Sequence, residues 1–196
     1  MAKMRISSGS RLSAYTDAVF AVIITIMVLE LRPPAEPTFS ALASLWPTAI
    51  SYLVSYLFIA IIWINHHYLM GYIEAPTLRL IWINFGHLFF VSFLPFATAW
   101  IAQTKLDSVP VIVYAVLFVV VDAVYNLFER EILRMATGFT ASEYQQTRRR
   151  SFVALALFVV AVGLALLQPY VGFGFICLAL VLHLQPDTAP WNRSAE

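Results

Sequence analysis

The chain reads as an all-α integral membrane protein: six transmembrane helices in one domain covering residues 1–196. Three observations predict this. Hydrophobic residues make up 61% of the sequence and charged residues 12%, about half the ~25% charge of an ordinary soluble domain. Mean hydropathy is +0.79. Apolar runs recur along the chain at the length of about 20 residues that an α-helix needs to cross a bilayer, parted by short polar or proline-bearing breaks.

The first run, 11–31, is long enough to span and is preceded by Ser10, placed to cap it. Pro33 and Pro34 end it, since neither donates to a helical ladder. Residues 36–44 read as a short interfacial piece. Helix 2 covers about 47–70, with Pro47 in its first turn, and 71–77 is a turn. Helix 3 covers about 78–103 and is expected to kink at Pro95. After a polar turn at 105–108, Pro110 opens helix 4, about 110–134. Residues 137–150, the longest hydrophilic stretch, read as a linker. Helix 5 covers about 151–167, Gln168-Pro169 breaks it, and helix 6 covers about 170–184 before a polar tail.

Six spans place both termini on one side, and the basic residues choose the side. Arg32 and Lys105 fall on one face of the predicted bundle and every other Lys and Arg on the opposite face. The positive-inside rule makes that richer face, and both termini, cytosolic, with the linker on the same side. Trp46, Trp100 and Tyr170 near the outer ends fit an aromatic belt. The N-terminal run is no cleavable signal peptide: it is too long, carries Asp17, and lacks a small-residue cleavage site. The expected location is the cell membrane, multi-pass, with the lipid bilayer as a partner.

Several function classes are disfavoured. The single cysteine, Cys177, excludes an intramolecular disulfide framework and a multi-cysteine metal site. A formal net charge of +1 calls for no nucleic acid. No Ser-His-Asp or Cys-His arrangement, phosphate-binding glycine loop or carboxylate pair stands out, so the reading contains no enzyme, catalytic residue, cofactor or organic substrate. His66 and His67 are adjacent, hence about 100° apart on a helix, and poorly placed to share one metal ion. Tyr170 to Phe175 looks superficially like a carbonyl filter, but glycine-mediated helix packing accounts for it better.

Polar groups inside the first span carry the function. Arg11, Tyr15, Thr16 and Asp17 stand at one end, Thr25 in the middle and Glu30 at the other. Ionisable groups at membrane depth face a bundle interior or a watery path. Val22, Ile26 and Leu29, at i, i+4 and i+7, share one face with Thr25 on its edge, and Asp17 points some 140° away from Val22. One face is thus free for symmetry mates or a pore, while the acid turns toward the chain's own bundle. Arg11 lies near the pore face on an ideal wheel. Trp63, His66 and His67 close helix 2, and Trp82, Asn84 and His87 lie in helix 3 at the same depth. These groups predict a hydrogen-bonded cluster tying helix 1 to helices 2 and 3, with the choice among His66, His67 and His87 open.

Arg11-(Leu12-Ser13-Ala14)-Tyr15-Thr16-Asp17 resembles the Arg-x-x-x-Phe-Ser-Asp signature that opens the first membrane helix of the transmembrane-protein-175 family of potassium channels. Tyr for Phe and Thr for Ser keep the aromatic body and the hydroxyl. The resemblance implies a single-repeat, prokaryotic-type member: a potassium-permeable channel, weakly selective over sodium. It implies a homotetramer whose four first helices line a central pore. Val22, Ile26 and Leu29 would form apolar rings that gate by dewetting, with a hydroxyl ring at Thr25 close to the permeant potassium. The alternative from the residues alone is a proton-coupled or small-solute transporter using Asp122 and the histidines. Asp122 and Asn126, at i and i+4 in helix 4, also fit a structural hydrogen bond. A histidine-ligated redox protein is a further class, separable by its absorption spectrum.

Overall fold

The computed structural model describes residues 8–136 and 141–183, and all its regular structure there is helical. The elements are α1 (Ser8–Leu29), α2 (Phe39–Ala43), α3 (Trp46–Met70), α4 (Leu78–Val91), α5 (Leu94–Gln103), α6 (Ser108–Met135), α7 (Ala141–Leu167) and α8 (Pro169–His183). Five spans are apolar and long enough to cross a membrane: Gly9–Leu29, Trp46–Met70, Leu78–Gln103, Ser108–Met135 and Tyr144–Leu167; α8 supplies a shorter apolar segment, Pro169–Leu182. At 1.5 Å per residue the 15 residues of α8 reach about 22 Å, less than the ~30 Å hydrocarbon core.

Helix α1 starts earlier than expected, and Ser10 lies within it. Its cap comes from another element. The Gly9 N–H donates to the Glu74 carbonyl at 3.0 Å, so the turn after α3 satisfies a donor that the helix cannot. A Cβ on Gly9 would collide with the carbonyl oxygens of Ile73 and Glu74, which explains a glycine at this close approach. The helix ends at Leu29, where Glu30 and Leu31 turn back on Met27 and Val28, ahead of the two prolines. Helix α2 is the short piece expected near 36–44, capped by Thr38, whose hydroxyl accepts from Ala41 N–H at 3.1 Å.

The third span is disturbed ahead of Pro95, as expected: Ser92 and Phe93, between α4 and α5, keep right-handed helical dihedrals, and Ser92 N–H still bonds the Leu88 carbonyl at 3.0 Å. Pro95 has no N–H for the Val91 carbonyl, and its ring crowds that carbonyl; α4 stops at Val91 and α5 begins at Leu94. After α5, Lys105 (φ 52°) and Leu106 (φ 66°) are both left-handed, a conformation non-glycine residues seldom take. The Leu106 N–H bonds the Ile101 carbonyl at 3.1 Å, and the Leu106 side chain is buried, which together hold the turn. Asp107 then caps α6, its Oδ1 accepting from Ser108 N–H at 2.6 Å.

Residues 141–150 are a correction. Read as linker, they form the first turns of α7, continuous to Leu167; residues 137–140 and the tail from 184 lie outside the described residues. Helix α8 follows at once, its first turn capped by Gln168 Oε1, which accepts from Val171 N–H at 3.1 Å. Gly172 packs so closely on Ala165 that a Cβ there would strike its backbone. The centre of the bundle is aromatic. Phe58 of α3 stacks on Phe118 of α6 with ring centroids 3.8 Å apart, and Phe158 of α7 meets both edge-on at 5.5 and 5.4 Å.

Candidate functional site

Helix α1 lies against α3, α4 and α5 and presents them one narrow stripe. Leu12, Thr16, Phe20, Ile23 and Met27 are buried, at spacings that keep them on one face of a 3.6-residue helix. The opposite face is exposed: Val22, Ile26 and Leu29 are 54%, 44% and 79% exposed, and Thr25 is exposed between them. Thr25 lies nine residues from Thr16, hence about 180° around the helix, directly opposite the packed stripe. Val22 and Ile26 lean to one side. They line a groove of about 790 Å³ between α1 and α5, shared with Tyr15, Pro95, Phe96 and Trp100.

The Thr25 hydroxyl donates to the Val22 carbonyl at 2.8 Å. Its proton is therefore spent within the helix, and outward it offers oxygen lone pairs alone. A cation passing this face meets an acceptor.

On the packed side two side-chain bonds fasten α1. Trp63 Nε1 of α3 donates to Asp17 Oδ1 at 2.8 Å. Beside it runs a buried chain. Thr16 Oγ1 donates to the Leu12 carbonyl at 2.9 Å, Asn84 Nδ2 of α4 donates to Thr16 Oγ1 at 2.9 Å, and Asn84 Oδ1 lies 2.7 Å from His66 Nε2 of α3. Because the Asn84 amide nitrogen is committed to Thr16, its oxygen must accept, so His66 carries its proton on Nε2. Thr16, His66 and Asn84 are each fully buried, and although His66 Nδ1 has no partner among the described residues, a polar chain at that depth sets the register of three helices.

The remaining sequence candidates divide. His87 is buried beside this chain, its ring nearly parallel to His66 at 6.3 Å, but neither of its ring nitrogens has a hydrogen-bond partner among the described residues. Tyr15 is exposed and rests on Phe85, ring centroids 5.3 Å apart. His67 is exposed and lies against the Trp63 indole. Arg11 is exposed on the outer face of α1, and neither it nor His67 makes a hydrogen bond into the chain of Asp17, Thr16 and Asn84. Arg11 was expected in the cluster, with the choice among His66, His67 and His87 open; Arg11 and His67 are turned from it by their position on the helix, and His66 joins it. Asp122 and Asn126 are bonded within α6, Asn126 Nδ2 donating to the Asp122 carbonyl at 2.9 Å and to Asp122 Oδ2 at 3.3 Å. Among the described residues no group of three His, Cys, Asp or Glu side chains is arranged to hold a metal ion.

Two features escaped the sequence reading. Nothing in the sequence sets Glu129 apart from its charged neighbours Arg130 and Glu131, yet it is 1% exposed. It pairs with Arg148 at 2.9 Å and accepts a short hydrogen bond from Ser151, because α7 begins at Ala141 and its first turns bring these groups against α6. The second is a hydroxyl chain. Thr98 donates to the Leu94 carbonyl at 2.6 Å, so Ser55 donates to Thr98 and Tyr114 to Ser55, each at 2.6 Å, locking α3, α5 and α6. Lone Ser and Thr in apolar helices usually bond their own backbone, so no sequence signal distinguishes these.

Comparison with known proteins bears on this arrangement. The family model described as "Endosomal/lysosomal potassium channel TMEM175" matches residues 11–95, the segment holding α1, the Asp17–Trp63 bond and the Asn84 chain. A protein named as a potassium channel from Chryseobacterium sp. (strain P1-3) is 30% identical over 178 residues, covering 90% of this chain and 93% of its own. A second, from Chamaesiphon minutus, is 27% identical over 190 residues with the same coverage. The crystal structure of a lysosomal potassium-selective channel TMEM175 homolog from Chamaesiphon minutus superposes with a TM-score of 0.82 at 25% identity, covering 90% of this chain and 96% of that one.

Proposed function

The chain belongs to the TMEM175 family of channels, and on that premise we propose that it is the subunit of a potassium channel in the cell membrane. The observation that carries this reading is the two-sidedness of α1. Its packed stripe is pinned by Asp17 and Thr16, while its opposite stripe of Val22, Thr25, Ile26 and Leu29 is exposed. A single α1 encloses nothing. Closed rotational symmetry supplies the missing walls, and a homotetramer with four α1 helices around the axis is the assembly proposed. Both termini are cytosolic, on the face rich in Lys and Arg.

In that ring Val22, Ile26 and Leu29 form the narrow apolar collar. A neck of this kind holds no continuous water, so an ion crossing it loses hydration and the path closes by dewetting. When the collar widens, a partly hydrated cation passes, and potassium passes more readily than sodium because its water is less costly to strip. The Thr25 oxygens, stripped of donor character by the bond to Val22, replace part of that water. Trp63, Asn84 and His66 hold α1 at its angle from behind and do not touch the ion. Enzyme chemistry has no place in this scheme.

The test is flux. Purified protein in liposomes should release potassium down its gradient and release sodium more slowly. Liposomes as tight to potassium with the protein as without it would overturn the reading.

A further inference from the structure

The two flanks of α1 differ in shape. One borders the groove shared with α5, which runs along α1 from Tyr15 to Glu30 and is walled on its far side by Phe96 and Trp100. Its volume of about 790 Å³, spread over the ~22 Å that these α1 residues rise, leaves a section of about 35 Å². That admits one row of side chains and not a whole second helix, which is about 10 Å across. Measured around α1 from the buried Thr16, Val22 and Ile26 lie about 120° and 80° toward the groove. Ala21 and Val28 lie about 140° and 120° the other way, and both are exposed. Two turns apart, they form a low ridge on the flank that turns Asp17 toward Trp63.

We propose that the groove of each subunit receives the Ala21–Val28 ridge of the next subunit's α1. This rests on the tetrameric channel reading and names the contact that closes it. Around a rotation axis each subunit has a neighbour on either side, so the two unlike flanks of α1 meet each other in a heterologous contact that repeats until the ring closes. A ridge of side chains set into a one-row groove is how helices pack. Continuity with the collar decides the occupant. Val22 and Ile26 belong to the collar and also wall the groove, so whatever fills the groove borders the ion path. An acyl chain there would leave the collar open to hydrocarbon between subunits, and would lie against Glu30 and Gln103 at the outer end. A second copy of α1 seals the path with protein, and the small side chain of Ala21 lets the two helices approach closely.

The experiment is disulfide trapping of the full chain in membranes, in a Cys177→Ala background that removes the one native cysteine. Ala21→Cys with Phe96→Cys, and Val28→Cys with Trp100→Cys, each put one thiol on the ridge and one in the groove. A bridge needs Cα atoms within about 7 Å. Oxidation should therefore convert each double variant from a monomer band to a ladder ending at four chains on a non-reducing gel. Each single variant should stay monomeric, because the contact joins unlike surfaces. Val160→Cys with Leu178→Cys, exposed positions on α7 and α8, should give no ladder. Potassium flux of the same proteins before oxidation separates this contact from the channel reading. Flux with no ladder from either ridge–groove pair would overturn the contact, assign the groove to lipid and leave the channel standing. A ladder without flux would support the contact and sink the channel reading instead. Ladders from the single variants or from the α7–α8 pair, or a ladder that stops at two chains, would also overturn the contact. Should one ridge–groove pair not fold, the other decides alone.

Discussion

The indole N–H of Trp63 meets Asp17 Oδ1 at 2.8 Å across the boundary between α3 and α1, and it is the one described hydrogen bond to that carboxylate from another helix. Substituting Trp63→Phe keeps an aromatic ring beside His67 but removes the donor. A hydrogen bond to a charged group is worth about 1.5–3 kcal/mol, less inside a bilayer where unfolded helices find other partners. Trp63→Phe should therefore lower stability by about 1–2 kcal/mol, read as an earlier unfolding midpoint in detergent and a larger monomer fraction. An unchanged midpoint would show that Asp17 is held by something else.

Asn84 should matter more. It is fully buried and joins His66 to Thr16, so Asn84→Ala removes two hydrogen bonds and strands the His66 Nε2 proton. The cost should be about 2–4 kcal/mol, exceeding that of Trp63→Phe in the same assay. Thr16→Ser, which retains the hydroxyl, should be near neutral, and Thr16→Val should fall between. A Thr16→Val protein as stable as the wild type would show that the chain ends at Asn84.

Much of this was legible from residue types. Prolines and polar turns mark where the apolar runs break, and Asp17, Asn84 and His66 announce themselves because polar groups are costly at that depth. What was illegible depends on tertiary reach. Pro95 signalled the disturbed helix, but how far the span bends there rests on how Val91 and Leu94 pack, and both are fully buried. Residues 141–150 look like linker because their charges read as solvated; Arg148 is helical and half-buried because Glu129 waits on α6. Arg11 and His67 carry the right chemistry for the polar cluster, yet helical rotation turns them outward. The hydroxyl chain of Tyr114, Ser55 and Thr98 has no local signature at all.

The Glu129–Arg148 pair yields a cycle. Removing one partner leaves the other charge uncompensated in a buried site, which costs about 3–5 kcal/mol. Arg148→Met alone should be strongly destabilising, whereas Glu129→Gln/Arg148→Met, with no charge left and Ser151 still bonded to the amide oxygen, should recover most of the loss. Thermal unfolding of the wild type, Arg148→Met, Glu129→Gln and the double variant measures the coupling. Strict additivity would mean that the two charges are solvated independently.

The collar makes the most direct claim about conduction. Val22 and Ile26 are 54% and 44% exposed in the subunit, so replacing either with alanine should cost the subunit fold little, within about 0.5 kcal/mol. If they ring the axis, each replacement removes apolar bulk from the neck, and a wider neck rewets at lower cost. Val22→Ala and Ile26→Ala should raise single-channel conductance and bring the potassium and sodium permeabilities closer together. Thr25→Val, isosteric but without the oxygen, should do the opposite to conductance: the neck keeps its width, while a cation in transit loses the acceptor that replaced part of its water. The contrast separates width from chemistry at adjacent positions on one helix. Unchanged currents in all three variants would place the narrowest point off α1, even if the tetramer and its potassium flux were intact.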